Sequence, residues 1–250
     1  MRRFFHMRNL KLTLSYDGTS FHGWQLQPGV RTLQGELERA IGHILDHEIT
    51  THGSGRTDAG VHAHGQVAHF LTEKAIDTDA FHRSVNALLP PEIRVTSVEE
   101  MPLDFHARAS ARAKTYEYHV WRSTVVSPFH SRYVHSVWQH LDADKVDQAT
   151  TYFPGRHEFT SFSAASTSKR SHTREVYEAQ WERSSEEWVF RIRANGFLQY
   201  MVRTIVGTLI EVGRGKMNPK EIPGIFEARD RQRAGPTAPA KGLHLVSVEY

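Results

Sequence analysis

Cysteine is absent from the 250-residue chain. That excludes disulfides, thiolate nucleophiles and cysteine-ligated zinc, and it matches a reducing compartment. Long apolar runs are missing too: no segment approaches the roughly 18 consecutive apolar residues of a membrane-spanning helix. The opening Met-Arg-Arg-Phe-Phe-His-Met-Arg is basic but lacks the unbroken apolar stretch of a signal peptide. A soluble, cytoplasmic protein with no membrane partner is the expectation. Charge of a single sign is also lacking. With 31 Lys and Arg against 28 Asp and Glu, the net charge of +3 does not mark a nucleic-acid binder by itself.

The residues present describe a folded chain. At 39% hydrophobic and 24% charged it can bury a core, as one large domain or two of ordinary size. Thirteen Phe, eight Tyr and five Trp supply flat surfaces of the kind that stack on bases. Basic residues gather in three places: Arg2, Arg3, Arg8 and Lys11; Arg108, Arg112 and Lys114; Arg229, Arg231 and Arg233. One such cluster is ordinarily a solvated face, but three on one chain make an RNA-sized polyanion a reasonable partner.

Periodicity predicts mixed structure. Residues 9–16 alternate Leu10, Leu12 and Leu14 with polar neighbours, as a half-buried strand does. From Thr32, a predicted N-cap, Leu33, Leu37, Ala40, Ile41, Ile44 and Leu45 fall at helical spacing. A β stretch is expected near 48–53, a helix over 79–89 with Phe81, Val85, Leu88 and Leu89 on one face, and a strand over 93–101. The second half repeats the mixture. Tyr116, Tyr118 and Val120 alternate, Asp142 opens a helix carrying Val146, Ala149, Thr150 and Phe153, and 174–183 with 187–194 read as a hairpin. An apolar helix over 197–212 and a strand over 243–250 complete the pattern. It predicts α+β layers, antiparallel-rich sheets covered by helices, with a domain boundary near 103–110.

The segment that points to chemistry is Gly55-Arg56-Thr57-Asp58-Ala59-Gly60-Val61-His62, followed by the strand-like His64-Gly65-Gln66-Val67-Ala68-His69-Phe70. Glycines on both sides let the backbone turn sharply and let a ligand come close. A carboxylate held there suits a nucleophile or a proton-transfer group, and Arg56 is placed to meet an anion. An Asp in such a loop can equally be a turn former that bonds its own backbone.

This octet resembles the active-site motif of the tRNA pseudouridine synthases, in the branch that modifies the anticodon arm. The resemblance runs from Tyr16-Asp17-Gly18-Thr19 and Gly23-Trp24-Gln25 to Gly242-Leu243-His244-Leu245-Val246. It implies two α+β halves with RNA-recognition-motif-like sheets meeting at a basic cleft: 1–105 carrying the catalytic loop and 106–250 carrying the remaining site residues. It implies conversion of uridine to pseudouridine at positions 38, 39 and 40 of tRNA, by base flipping and an Asp-dependent break and re-formation of the glycosidic bond. A homodimer is implied, with no cofactor and no metal.

By the same resemblance, Asp58 is the catalytic residue and Tyr116 stacks on the target uracil. Arg56 enters the RNA stack and holds the flipped nucleotide, Arg203 is the ion-pair partner of Asp58, and Leu243 walls the pocket. The residues leave other readings open. Arg56 could be a plain salt bridge to Asp58, Arg203 a snorkelling surface group, and Tyr116 or Leu243 ordinary core. Tyr118 reads as core and is not assigned. Between Phe162 and Arg174 the resemblance is loose and no site residue is assigned.

Two further classes compete. A non-catalytic RNA-binding protein would not need Asp58, Tyr116 and Arg203 together. A histidine-dependent metallohydrolase would draw on the seventeen histidines, best on His62, His64 and His69, but their spacing is poor for zinc.

Overall fold

The structure, a computed structural model, describes residues 7–164 and 171–250. Arg2, Arg3, Lys169 and Arg170 lie outside the described residues. The chain divides into two compact units, one of Met1–Arg112 with Leu245–Tyr250 and one of Ala113–His244. Each combines a mostly antiparallel sheet with helices, the α+β class expected. No helix among the described residues is long and apolar enough to cross a membrane.

In chain order the first unit comprises β1 (Arg8–Tyr16), α1 (Leu33–Leu45), β2 (His52–Gly53), β3 (His62–Thr72), α2 (Thr78–Leu88) and β4 (Ile93–Met101). The second comprises β5 (Ala113–Trp121), β6 (His135–Ser136), α3 (Ala143–Thr150), β7 (Gly155–Glu158), β8 (Thr173–Arg183), β9 (Glu187–Ala194), α4 (Met201–Gly213) and α5 (Ile222–Ala228). Strand β10 (Leu243–Glu249) then returns the chain to the first unit.

Within the first unit the strand order is β4-β1-β3-β10. Leu10, Leu12, Leu14 and Tyr16 of β1 point into the core, as their alternation requires. The Thr32 side chain accepts from Gly35 N–H and caps α1, which buries Leu33, Leu37, Ala40, Ile41 and Leu45; such a cap contributes about 1 kcal/mol. Asp77 caps α2 through Asp79 and Ala80. Phe81 and Val85 are buried there, but Leu88 is exposed. The chain turns extended at Leu89, ahead of Pro90, and Leu89 takes the core position instead.

Within the second unit the strand order is β5-β9-β8-β7, with β6 parallel to β5. Tyr116, Tyr118 and Val120 face Ile192, Phe190 and Trp188 across the β5–β9 ladder. Val146, Ala149 and Thr150 of α3 are buried. The expected helix over 197–212 begins only at Met201, because Tyr200 adopts φ 64, a left-handed conformation that cannot continue a right-handed helix. The β stretch expected near 48–53 is reduced to the two residues of β2, which pair with His69 and Ala68.

Candidate active site

In the first unit the Gly-rich motif forms the loop between β2 and β3. Val61 N–H donates to the Asp58 carbonyl at 3.2 Å, and Gly60 between them has φ 77. A positive φ at the third position of a four-residue turn is what glycine supplies without strain. Asp58 is half-buried, Arg56 exposed and Thr57 buried.

The loop is tied to its surroundings from below. The Tyr16 hydroxyl meets Thr57 Oγ1 at 2.8 Å. Gln66 Nε2 donates to the Gly55 carbonyl at 3.0 Å and to the Tyr16 hydroxyl at 3.4 Å, while its Oε1 accepts from Ser54 Oγ at 2.7 Å. Tyr16 is 5% exposed and Gln66 is fully buried. Burial drives the Tyr16 phenol well above its ordinary pKa, against the opposing hydrogen bonds from Thr57 and Gln66, so it stays neutral. From the side, Trp24 N–H donates to the Thr57 carbonyl at 3.0 Å. Gly23, at φ 86, lies so close that a Cβ there would fall 2.8 Å from the same oxygen.

None of these four buried partners, Tyr16, Trp24, Ser54 and Gln66, stood out from the sequence as site residues. The signal was available in part. Tyr16 and Trp24 lie in the two N-terminal segments that carry the resemblance, and Gln66 is a polar residue next to the apolar pair Val67-Ala68.

His62 and His64, two positions apart in β3, separate: His62 is buried and His64 exposed. The β1–β3 register shifts between Leu14–Gln66 and Tyr16–Ala63, a bulge that interrupts the alternation. His62 Nδ1 accepts from Gly18 N–H at 3.1 Å and lies 3.2 Å from Asp17 Oδ1. The first contact uses a bare Nδ1 and the second a protonated one, so the two alternate with the tautomer of the ring. His69 instead accepts from Ala107 N–H. Among the described residues no group of three His, Cys, Asp or Glu side chains is arranged to hold a metal ion.

In the second unit Tyr116 lies near the start of β5, 8% exposed, edge-on to Phe197 with ring centroids 5.0 Å apart. Arg203 is in the first turn of α4. Its Nε donates to the Ala238 carbonyl at 2.7 Å, and Ala238 N–H donates back to the Arg203 carbonyl at 3.0 Å. The guanidinium lies over the Tyr200 ring, 5.1 Å from its centroid. Tyr118 is core: fully buried, with its hydroxyl donating to the Pro239 carbonyl. Leu243 opens β10 at 6% exposure.

The basic clusters are partly neutralised. Arg8 forms a bidentate pair with Glu100, and Lys11 pairs with Glu99. Arg231 is bonded into the loop ahead of β10 through the Gly235 carbonyl and Thr237 Oγ1. Arg108 and Arg112 remain exposed.

The Asp58 loop is thus held by buried polar groups on an α+β scaffold. Comparison with known proteins gives the family. The profile of the tRNA pseudouridine synthases matches residues 13–108 and 149–250. A tRNA pseudouridine synthase A of Bacillus pumilus is 46% identical over 243 residues, covering 96% of this chain and 98% of that protein. Its namesake in Brevibacillus brevis is 46% identical over 244 residues, covering 98% and 100%, and that of Solibacter usitatus 45% over 248, covering 98% and 100%. The chain belongs to the tRNA pseudouridine synthase family, a family of isomerases.

Proposed function

We propose that this protein converts uridine to pseudouridine at positions 38, 39 and 40 in the anticodon stem-loop of tRNA. The reaction breaks the bond from uracil N1 to the ribose, turns the held base and joins its C5 to the same sugar carbon; a proton leaves C5 and N1 gains one. It is an isomerisation that needs no redox partner, nucleotide cofactor or metal.

Asp58 is the catalytic carboxylate, acting at the sugar of an extruded nucleotide. Arg203 is its ion-pair partner, because a carboxylate in a closed cleft stays ionised only beside a cation. Tyr116 stacks on the target uracil, and a base–aromatic stack contributes on the order of 1–3 kcal/mol toward the cost of extruding it. Arg56, exposed on the loop, holds the flipped nucleotide, and Leu243 forms an apolar wall. The N-terminal region, 1–105, carries the catalytic loop; 106–250 carries the tyrosine and the arginine. Both are RNA-recognition-motif-like halves lining a basic cleft. The working form is a cytoplasmic homodimer across which one tRNA lies.

The observation that supports this reading is the intact Asp58 loop in a chain of this family, joined to a buried hydrogen-bond network that fixes it. The test is mass-tagged pseudouridine mapping on tRNA transcripts with uridine at each of the three positions. Asp58→Asn should leave tRNA binding intact and yield no product. Product from that variant would defeat the assignment of Asp58, and product confined to uridines elsewhere would defeat the assignment of positions.

A further inference from the structure

The buried groups beneath the Asp58 loop have no role in the chemistry as described, yet they touch three of the four residues that precede Asp58. Gln66 alone bonds Ser54 through its oxygen and Gly55 through its nitrogen. Tyr16 reaches across from β1 to Thr57, the residue next to Asp58, and closes the set through Gln66. The loop end therefore hangs on two side chains from two different strands. A glutamine and a tyrosine at inward positions of a sheet are costly choices where apolar residues would pack without polar partners. Every polar atom of the pair finds a partner in or next to the loop, so the network is fully satisfied and stiff.

We infer that Tyr16 and Gln66 are positioning residues for the isomerisation: their hydrogen bonds to Thr57, Gly55 and Ser54 set the backbone from which Asp58 addresses the sugar. The inference rests on the assignment of Asp58 as the catalytic carboxylate. Both side chains are buried. A displacement of about 1 Å in a reacting group costs on the order of a hundredfold in rate, so losing one of these bonds is expected to show in the chemical step and not in tRNA affinity.

The experiment uses the full-length protein and a tRNA transcript, measuring single-turnover rate, tRNA Kd, thermal midpoint and the rate–pH profile. Tyr16→Phe should slow the chemical step by about tenfold or more, leave Kd within about twofold, and keep the shape of the pH profile, since a phenol held neutral by burial does not titrate in the assay range. Tyr250→Phe, which removes a hydroxyl bonded to the Ala107 carbonyl in the same unit, serves as the stability control and should keep the wild-type rate. In a double-mutant cycle, Tyr16→Phe with Thr57→Val should lose no more rate than either alone, and Thr57→Ser should retain it. If Tyr16→Phe does not fold, the contrast of Thr57→Val with Thr57→Ser reads the same bond from the loop side.

A wild-type rate in Tyr16→Phe, additive losses in the cycle, or equal losses in Thr57→Ser and Thr57→Val would overturn the inference. So would a rate that falls only as far as in an equally destabilised Tyr250→Phe. An active Asp58→Asn would instead bring down the underlying assignment, so the two failures are distinguishable.

Discussion

Gly207, in the middle of α4, and Pro236, in the loop ahead of β10, approach so closely that a Cβ on Gly207 would fall 1.7 Å from the Pro236 carbonyl oxygen. The neighbouring turn of the same helix holds Arg203, which grips Ala238 two residues further along that loop. Helix and loop therefore form one piece. In an isolated helix Gly207→Ala would stabilise by about 1 kcal/mol. Here the backbone clash dominates and the variant should lose about 2 kcal/mol or more. Urea denaturation checks the sign.

Gly23 should be equally intolerant for a different reason. Its left-handed backbone and its approach to the Thr57 carbonyl both oppose a side chain. Gly23→Ala is expected to destabilise by about 1–3 kcal/mol and to slow pseudouridine formation more than it weakens tRNA binding. Rate and affinity measured on one preparation decide it.

Arg203→Lys should not be conservative. The lysine keeps the charge but loses the Nε–H that bonds Ala238. A loss of about 1.5–3 kcal/mol in stability is expected from that bond, together with a drop in the single-turnover rate. A variant as active and as stable as the wild type would refute the role given to the guanidinium.

Stability should depend on pH through histidines of opposite sign. His119 of β5 lies 2.8 Å from Glu187 and 3.7 Å from Glu117. Burial works to lower its pKa, but hydrogen bonds and attraction from Glu117 and Glu187 outweigh it and raise the pKa above 6.5. A raised histidine contributes stability that is complete below the unfolded pKa and is lost as pH climbs through the folded one. His69 has the opposite sign. Burial, then repulsion from His106 and His52, lowers it to about 4, so stability is lost as pH falls from 6.5 toward 4. Burial also lowers His135 to about 4, with Lys241 and Arg214 adding to the effect. Unfolding free energy measured across pH should lose its alkaline slope in His119→Gln and part of its acid slope in His69→Gln.

Elements with their own local signals were legible in the sequence. Thr32 and Asp142 cap helices as their side chains predict, the β8–β9 hairpin falls at its alternating segments, and β4 occupies the expected 93–101. The late start of α4 was not legible: Phe197 and Leu198 extend the apolar pattern, while the break is a backbone conformation at Tyr200. The Asp58 motif announced itself by eight contiguous residues. Its supports did not, because Tyr16 and Gln66 meet it through strand pairing, 42 and 8 positions away from Asp58 along the chain. The short α5, behind the capping box of Asn218 and Glu221, also escaped notice among polar neighbours.

Strand β10 reaches the first unit only after the whole of 113–244 has intervened. Val248 and Tyr250 cover Val67, Phe105 and Ala107, and Glu249 accepts from Arg112 N–H. A ribosome that has passed Arg112 has thus made a body with an open flank, greasy and short of one ladder. Its closure waits for residues 245–250, and until they are made that edge is an open template for mispairing.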